Sequence, residues 1–434
     1  MVEKNKTYTD TVAGFGADGE GVVKHEGFPV FVPFALEGEK IEYKVVKVLK
    51  NHAFGKLLKV ITPSASRTVP CCDIFYKCGG CSLLHINYQK QLEIKKDNVI
   101  SCMKKYSGNE TMVNDVIPCK NIYNYRNKAQ YPIKDGKCGF YALRSHEIVP
   151  LETCKIQNTD DQKIIKTVLA YIKITSSPIK HIYTRYGKNE CMVVLVSKSE
   201  KLKNSDLLVQ KLLETSNKIT SVILNVNKED TNVILGKKNI TLYGKSTITA
   251  SIGNLDFEIS PLSFFQVNST QTEVLYETAK TLANFKKTDC IIDLYCGTGS
   301  IGLYMADSVK SVLGVEIIED AIINAQNNAK LNNIQNTKFV CGAAETLMPE
   351  IIKKEGKIDG VILDPPRKGC DELLLNCLLE TNIEKILYIS CNPSTLARDI
   401  KVLSQKYTPS AITPVDMFPN TSHVECVCCL TKHK

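Results

Sequence analysis

A cysteine and several carboxylates in this chain stand at the ends of short apolar runs, where a side chain can reach a bound ligand. Ile386-Leu387-Tyr388-Ile389 leads into Ser390-Cys391-Asn392-Pro393, and Ile358-Asp359-Gly360-Val361-Ile362-Leu363 leads into Asp364-Pro365-Pro366-Arg367. Each run reads as a buried strand. The two prolines stop the second strand and fix the Asp364 carboxylate at its C-terminal edge. Open α/β sheets bind ligands at that edge, and Cys391 ends its own strand there. A thiolate is soft and strongly nucleophilic. His423-Val424-Glu425 adds a carboxylate near the end of the chain, a residue type able to take a proton.

Two further segments belong to a nucleotide site. Cys290 to Gly302 reads as a buried strand, a Gly-rich turn and a helix start, with Asp293-Leu294-Tyr295-Cys296-Gly297-Thr298-Gly299 at its centre. Glycines there let the backbone approach a ligand closely. A dinucleotide fold would also place glycines here. A second strand, Ser311 to Glu316, ends in an acid, and a carboxylate in that place can accept both ribose hydroxyls.

Thiols form another group. Cys71-Cys72-Asp73-Ile74-Phe75-Tyr76-Lys77-Cys78-Gly79-Gly80-Cys81 offers three ligands, with either Cys71 or Cys72 as the first, and Cys154 is the candidate fourth. Four thiolates hold a zinc ion or an iron–sulfur cluster, and spacing does not decide between them.

These residues need elements to carry them. The chain has 434 residues, more than one core normally holds, so two or three domains are expected. To about Thr62, short alternating stretches with glycines between them predict a small β-barrel. Pro63 to Ser66 reads as a linker, and a helical pattern covers about 87 to 106. Residues 116 to 260 read as an α+β region with strand-like runs at Cys191 to Ser197, Ser221 to Val226 and Ile240 to Tyr243. From Pro261 onward, helical and strand patterns alternate, which predicts a parallel sheet covered on both faces. The expected domains are 1–62, 63–260 and 261–434, with the 87–106 helix packing on the last.

Composition narrows the function classes. Hydrophobic residues make up 43% and charged residues 23%, as in an ordinary globular protein. No apolar run approaches the ~20 residues that span a bilayer, and Met1 to Asp10 lack the apolar core of a secretory signal. A cytoplasmic location without membrane contact is expected. Disulfides are not favoured there, so the 18 cysteines read as metal ligands, catalysts or buried small hydrophobes. The net charge of +9 favours a polyanionic partner. Tyr123-Asn124-Tyr125-Arg126-Asn127-Lys128 mixes the aromatic and basic residues that hold flexible RNA.

Together, Phe264-Phe265-Gln266-Val267-Asn268, Asp-Leu-Tyr-Cys-Gly-Thr-Gly, Asp-Pro-Pro-Arg, Ser-Cys-Asn-Pro and His-Val-Glu resemble the RNA uracil-5-methyltransferases, and in the same order over nearly the whole chain. The N-terminal segment resembles a TRAM domain, an OB-like RNA-binding barrel, on Asp18-Gly19-Glu20-Gly21-Val22-Val23, Phe28-Pro29-Val30-Phe31-Val32 and Glu37-Gly38-Glu39. The resemblance implies a Rossmann-like methyltransferase domain behind a TRAM barrel and a central α+β domain. It implies S-adenosylmethionine as methyl donor, Cys391 as nucleophile and Glu425 as base. Gln266 would lie against the donor, Tyr295 and Gly297 would contact it from the turn, Glu316 would hold its ribose, and Asp364 would contact donor or uracil. The ribosomal-RNA branch of this family carries a 4Fe–4S cluster, so the resemblance assigns Cys72, Cys78, Cys81 and Cys154 to that cluster. It points to 23S ribosomal RNA as substrate, with a monomer as the default.

One departure stands out. Where the family has a Gly-Asp-Ala-Glu-like stretch, this chain reads Gly342-Ala343-Ala344-Glu345, so an adenine contact is lost or supplied elsewhere. The alternatives are a tRNA uridine methyltransferase, an RNA cytosine-5-methyltransferase on the same fold, and a non-catalytic iron–sulfur RNA-binding protein.

Overall fold

The computed structural model describes residues 2–108, 112–229 and 231–433. Among these residues, Thr7–Phe15, Gly21–His25, Phe28–Val32, Lys40–Val48 and Ala53–Thr62 close into a five-stranded barrel. Period-2 alternation turns Val12, Val23, Val30, Val32, Ile41, Tyr43 and Val45 inward, where they form its core. Pro63 to Ser66 is not a free linker. The buried Glu39 carboxylate accepts from the Ser64 amide at 3.1 Å and from Arg67 Nε and Nη2 at 2.6 and 2.7 Å. A buried carboxylate requires such partners, and this one ties the barrel to the segment that follows.

Helix Tyr88–Cys102 starts where Asn87 Oδ1 accepts from the Lys90 amide at 2.9 Å. It passes into a π-helical turn, Met103–Ser107. Val99 and Met103 pack with Leu396, Ala397 and Ile400 of helix Pro393–Leu403, so the helix lies against the C-terminal sheet. The central region is a seven-stranded sheet in which Cys191–Ser197, buried along its length, runs parallel to Ile219–Val226. Helices Asp161–Thr175 and Ser205–Thr215 share its core. The hairpin of Ile248–Ile252 and Leu255–Ile259 belongs elsewhere. Its apolar face packs with helix Ser269–Ala283 in the core of the C-terminal sheet.

That sheet holds five parallel strands in the spatial order Thr337–Cys341, Ser311–Glu316, Cys290–Leu294, Gly360–Leu363, Lys385–Ser390. Helices cover both faces, and the period-2 alternation shows why: Ile291 lies in the core on one face and Ile292 in the core on the other. One feature departs from the expected all-parallel sheet. Glu425–Lys432 inserts antiparallel beside Lys385–Ser390. The strand therefore begins at the edge where the parallel strands end.

Candidate active site

The register brings the strand ends together. Leu294 pairs with Val315 and with Leu363, and Leu363 pairs with Tyr388. Tyr295, Glu316 and Asp364 therefore emerge along one edge. Ser390 pairs with Cys426 in the antiparallel ladder. One residue further in each strand come Cys391 and Glu425.

The Gly-rich turn alternates left-handed residues: Tyr295 at φ +65°, Gly297 at +54° and Gly299 at +80°. A tyrosine in that conformation stores strain that the surroundings must enforce. The space where a Gly297 side chain would stand is open, so the backbone there is accessible to a ligand. Glu316 reaches back to the turn, accepting from the Gly297 amide at 3.1 Å with one oxygen and from the Ile318 amide at 3.0 Å with the other. It thus serves both the turn and the entry to the next helix, and its remaining lone pairs are free for hydroxyl donors.

Cys391 is clamped by its neighbours. Ser390 Oγ accepts from the Asn392 amide and donates to the Asn392 carbonyl, each at 3.1 Å. Asn392 Oδ1 caps helix Pro393–Leu403 through the Ser394 amide, and its Nδ2 donates to the Arg367 carbonyl at 3.0 Å. Asn392 therefore joins the cysteine turn to the Asp-Pro-Pro-Arg turn. Burial pushes the Cys391 thiol up to about 11; Glu425 and Asp364 push it the same way, and Arg367 opposes them. Glu425 is 4% exposed. Its carboxyl is held well above the usual range by burial and by Asp364, again opposed by Arg367. Burial brings Asp364 to about 7, although part of its surface reaches solvent. Cys391, Glu425, Asp364 and Arg367 thus form one electrostatic unit.

Gln266 lies in a segment fixed by its backbone. Asn127 donates from Nδ2 to the Gln266 carbonyl at 2.9 Å and from its amide to the Val267 carbonyl at 2.7 Å. Arg185 donates to the Ser260 and Ser263 carbonyls at 2.6 and 2.7 Å. Among the described residues, no hydrogen bond joins the Gln266 side chain to Tyr295, Asp364 or Cys391. Beside this segment, Phe264 is 64% exposed, and the Lys128 ammonium stands 6.0 Å from its ring.

Asp293 received no role from sequence, yet it is central. It is buried; one oxygen accepts from the Gly302 amide at 2.9 Å and the other has no partner among the described residues. Burial pushes it to about 8, reinforced by Asp364 and Glu316. The available signal was a carboxylate inside an otherwise apolar strand. Raised carboxyls, Asp293 and Asp364 among them, make the ligand-free fold lose stability as pH rises. Folded Asp293 and Asp364 hold protons that the unfolded chain releases near pH 3.8, so their contribution is full below that pH. It is lost as pH climbs through about 7 and about 8. The expected result is a lower Tm at pH 8 than at pH 6.5, with the slope reduced in Asp293→Asn. Calorimetry across that interval checks it, and a flat profile contradicts it.

The cysteines form a separate centre. Cys72, Cys78, Cys81 and Cys154 line one cavity of about 250 Å³, together with Phe75 and Arg126. Cys71 is exposed and lies off this cavity, beside the Tyr123 hydroxyl. The Gly80 amide donates to Cys78 Sγ at 3.3 Å. Burial pushes the Cys81 thiol up, and the other three cysteines add to the shift. Cys154 rises to about 11 through burial, opposed by the Ile156 and Gln157 amides. Among the described residues, no three His, Cys, Asp or Glu side chains meet closely enough to hold a single metal ion.

The chain is similar to known proteins over nearly its whole length. The family model described as tRNA (Uracil-5-)-methyltransferase matches residues 87–433, and the TRAM domain model matches residues 2–58. An uncharacterized RNA methyltransferase of Clostridium tetani (strain Massachusetts / E88) is 44% identical over 447 residues, covering 99% of this chain and 97% of its own. One from Staphylococcus aureus (strain MSSA476) is 41% identical, covering 98% of each. The crystal structure of Pyrococcus abyssi tRNA (uracil-54, C5)-methyltransferase in complex with S-adenosyl-L-homocysteine superposes with a TM-score of 0.80 at 28% identity. It covers 98% of this chain and 100% of its own.

Proposed function

The chain belongs to the tRNA (uracil-5-)-methyltransferase family, and from that premise we propose that it methylates carbon 5 of a uridine in 23S ribosomal RNA through a covalent bond to Cys391. That it is an S-adenosylmethionine-dependent RNA uracil-C5 methyltransferase follows from the family. The substrate, the residue roles and the cluster are the proposal. Its main support is the meeting of Cys391, Glu425 and Asp364 at one sheet edge.

Carbon 5 of uracil is too weak a nucleophile to take a methyl group unaided. Cys391, which is reached by solvent, gives up its thiol proton to water; the thiolate adds to carbon 6, and the resulting enolate makes carbon 5 nucleophilic. S-adenosylmethionine supplies the methyl group. Carbon 5 then carries both methyl and hydrogen. Glu425 removes that proton, the double bond re-forms, and the carbon–sulfur bond breaks to release Cys391. A raised carboxyl is the stronger base once ionised. Asp293 and Asp364, both raised by burial, stand with Glu316 beside the Gly-rich turn, where a cationic sulfonium donor would favour their ionised forms. Tyr295, Gly297 and Glu316 would bind that donor, with Gln266 against it. The target base must leave its stack to reach Cys391. The exposed Phe264 and the Lys128 ammonium are the pairing that holds an unstacked nucleotide.

The cysteine cavity suits a 4Fe–4S cluster held by Cys72, Cys78, Cys81 and Cys154. The four thiols line one cavity of about 250 Å³, the place such a cluster would take. Such a cluster would cross-link distant segments, and no step of methyl transfer requires it. Anaerobically purified protein should contain about four iron and four sulfide per chain, and Cys81→Ser should lose them. Zinc in place of iron would contradict this assignment.

The cysteine set supports ribosomal RNA. Transfer RNA is the second reading, favoured by the Pyrococcus abyssi tRNA enzyme, whose match covers 98% of this chain, barrel included. The test is methyl transfer from labelled S-adenosylmethionine to unmodified 23S and transfer RNA transcripts, with the product nucleotide mapped by mass spectrometry. 5-Methyluridine in the ribosomal transcript supports the proposal. Transfer to transfer RNA alone reassigns the substrate.

A further inference from the structure

The strand that begins at Glu425 is reached through loop 416–424, which follows strand Thr413–Val415 and closes at the Val415–Glu425 pair. The outside anchors of this loop come from residues far earlier in the chain. At its start, Asp416 accepts from Lys95 Nζ at 2.5 Å and from the Tyr88 hydroxyl at 2.9 Å. Lys95 and Asp416 are both buried. Tyr125 donates to the Pro419 carbonyl at 3.0 Å.

The densest anchorage is at Asn420, buried and left-handed at φ +67°, a conformation asparagine tolerates better than most residues. Its amide donates to Gln91 Oε1 at 2.9 Å, and its Oδ1 accepts from Gln91 Nε2 at 3.2 Å. Its carbonyl accepts from the Ser82 and Leu83 amides at 3.1 and 3.0 Å. Two residues on, the Ser422 amide donates to Ser82 Oγ at 2.9 Å. Ser82 directly follows Cys81, which lines the cysteine cavity.

We propose that the cysteine segment, together with Gln91 of helix Tyr88–Cys102, is a positioning strut for the base: Ser82 and Gln91 hold Asn420 and Ser422 so that Glu425 meets the carbon-5 proton. This rests on the reading of Glu425 as the base. The physical argument is geometric. A base must come within hydrogen-bond reach of the proton it removes, and a misplacement of about 1 Å costs about 10²-fold. The strut acts on the step after methyl transfer and leaves the attack of Cys391, held by Ser390 and Asn392, untouched. Ser82, Gln91 and Asn420 are positioning residues, since none is placed against the reacting atoms.

The prediction separates the two halves of the reaction. In Ser82→Ala, the Ser422 amide loses its acceptor. In Gln91→Glu, the amide donor is removed from a residue that lies outside the cysteine segment. With the RNA transcript that accepts methyl groups, both full-length variants should accumulate the covalent methylated RNA–protein adduct, resolved on a denaturing gel. The adduct fraction should rise about five-fold in Ser82→Ala, which loses one hydrogen bond, and by more in Gln91→Glu, which loses the donor to Leu83, Ile86 and Asn420, while adduct formation stays within about two-fold of the parent. Ser82→Thr, which keeps the hydroxyl, should restore the parent ratio. An unchanged adduct fraction in both variants, or equal slowing of formation and release, overturns the strut. Glu425→Gln is run beside them. If it traps no adduct, the assignment of the base has failed, and the strut falls with it for a distinguishable reason.

Discussion

Exchanging Cys391 for serine is expected to lower methyl transfer by about 10⁴-fold or more, because a serine hydroxyl is too weakly acidic to add to carbon 6 in this setting. The setting is demanding even for a thiol. Burial, Glu425 and Asp364 push Cys391 to about 11. A group of much lower acidity in the same place would not ionise at all. The exchange is nearly isosteric, and the clamp around the residue is made by Ser390, Asn392 and the Arg367 carbonyl, so the fold should persist. Binding of S-adenosylhomocysteine and Tm should stay close to the parent values. Loss of transfer with both retained would separate chemistry from folding. Residual transfer above about one part in a hundred would remove Cys391 from the nucleophile's role.

Glu425→Gln should show the opposite pattern. The amide fills the same space but takes no proton, so the reaction should stop after the methyl group has moved. One equivalent of methylated RNA should form and remain bonded to the protein, while multiple turnover falls by about 10³-fold. Removing a buried carboxyl that Asp364 disfavours should also leave stability unchanged or slightly raised. Single-turnover and steady-state assays on the same preparation read both phases. A uniform loss, with no transfer in the first turnover, would mean that Glu425 acts before methyl transfer.

Sequence pattern carried much of this architecture because the parallel strands are apolar runs closed by glycine, proline or an acid, and because the barrel alternates. Strand direction was not legible. Residues 426–430 are apolar, and nothing local says that they insert antiparallel. That reversal is what sets Glu425 opposite Cys391. Burial of polar residues was hidden as well. Helix Tyr88–Cys102 carries many polar and charged residues, and pattern alone would turn Gln91 and Lys95 to solvent. Their partners, Asn420 and Asp416, lie 329 and 321 residues away, beyond any local signal. Pro63 to Ser66 has linker composition, but a buried Glu39 recruits it. Asp293 was visible as an acid within an apolar strand, yet its weakened acidity comes first from burial and then from Asp364 and Glu316 across the sheet.

The central claim is a covalent bond between Cys391 and the target uridine, and 5-fluorouridine tests it directly. With fluorine at carbon 5 there is no proton for Glu425 to remove, so the adduct should persist. RNA transcribed with 5-fluorouridine would be incubated with the protein and S-adenosylmethionine, digested with nuclease and protease, and analysed by mass spectrometry. A methylated fluorouridine attached to the peptide containing Cys391 is the predicted result. An adduct on another residue, or methyl transfer to ordinary RNA with no adduct to the fluorinated one, would contradict the account.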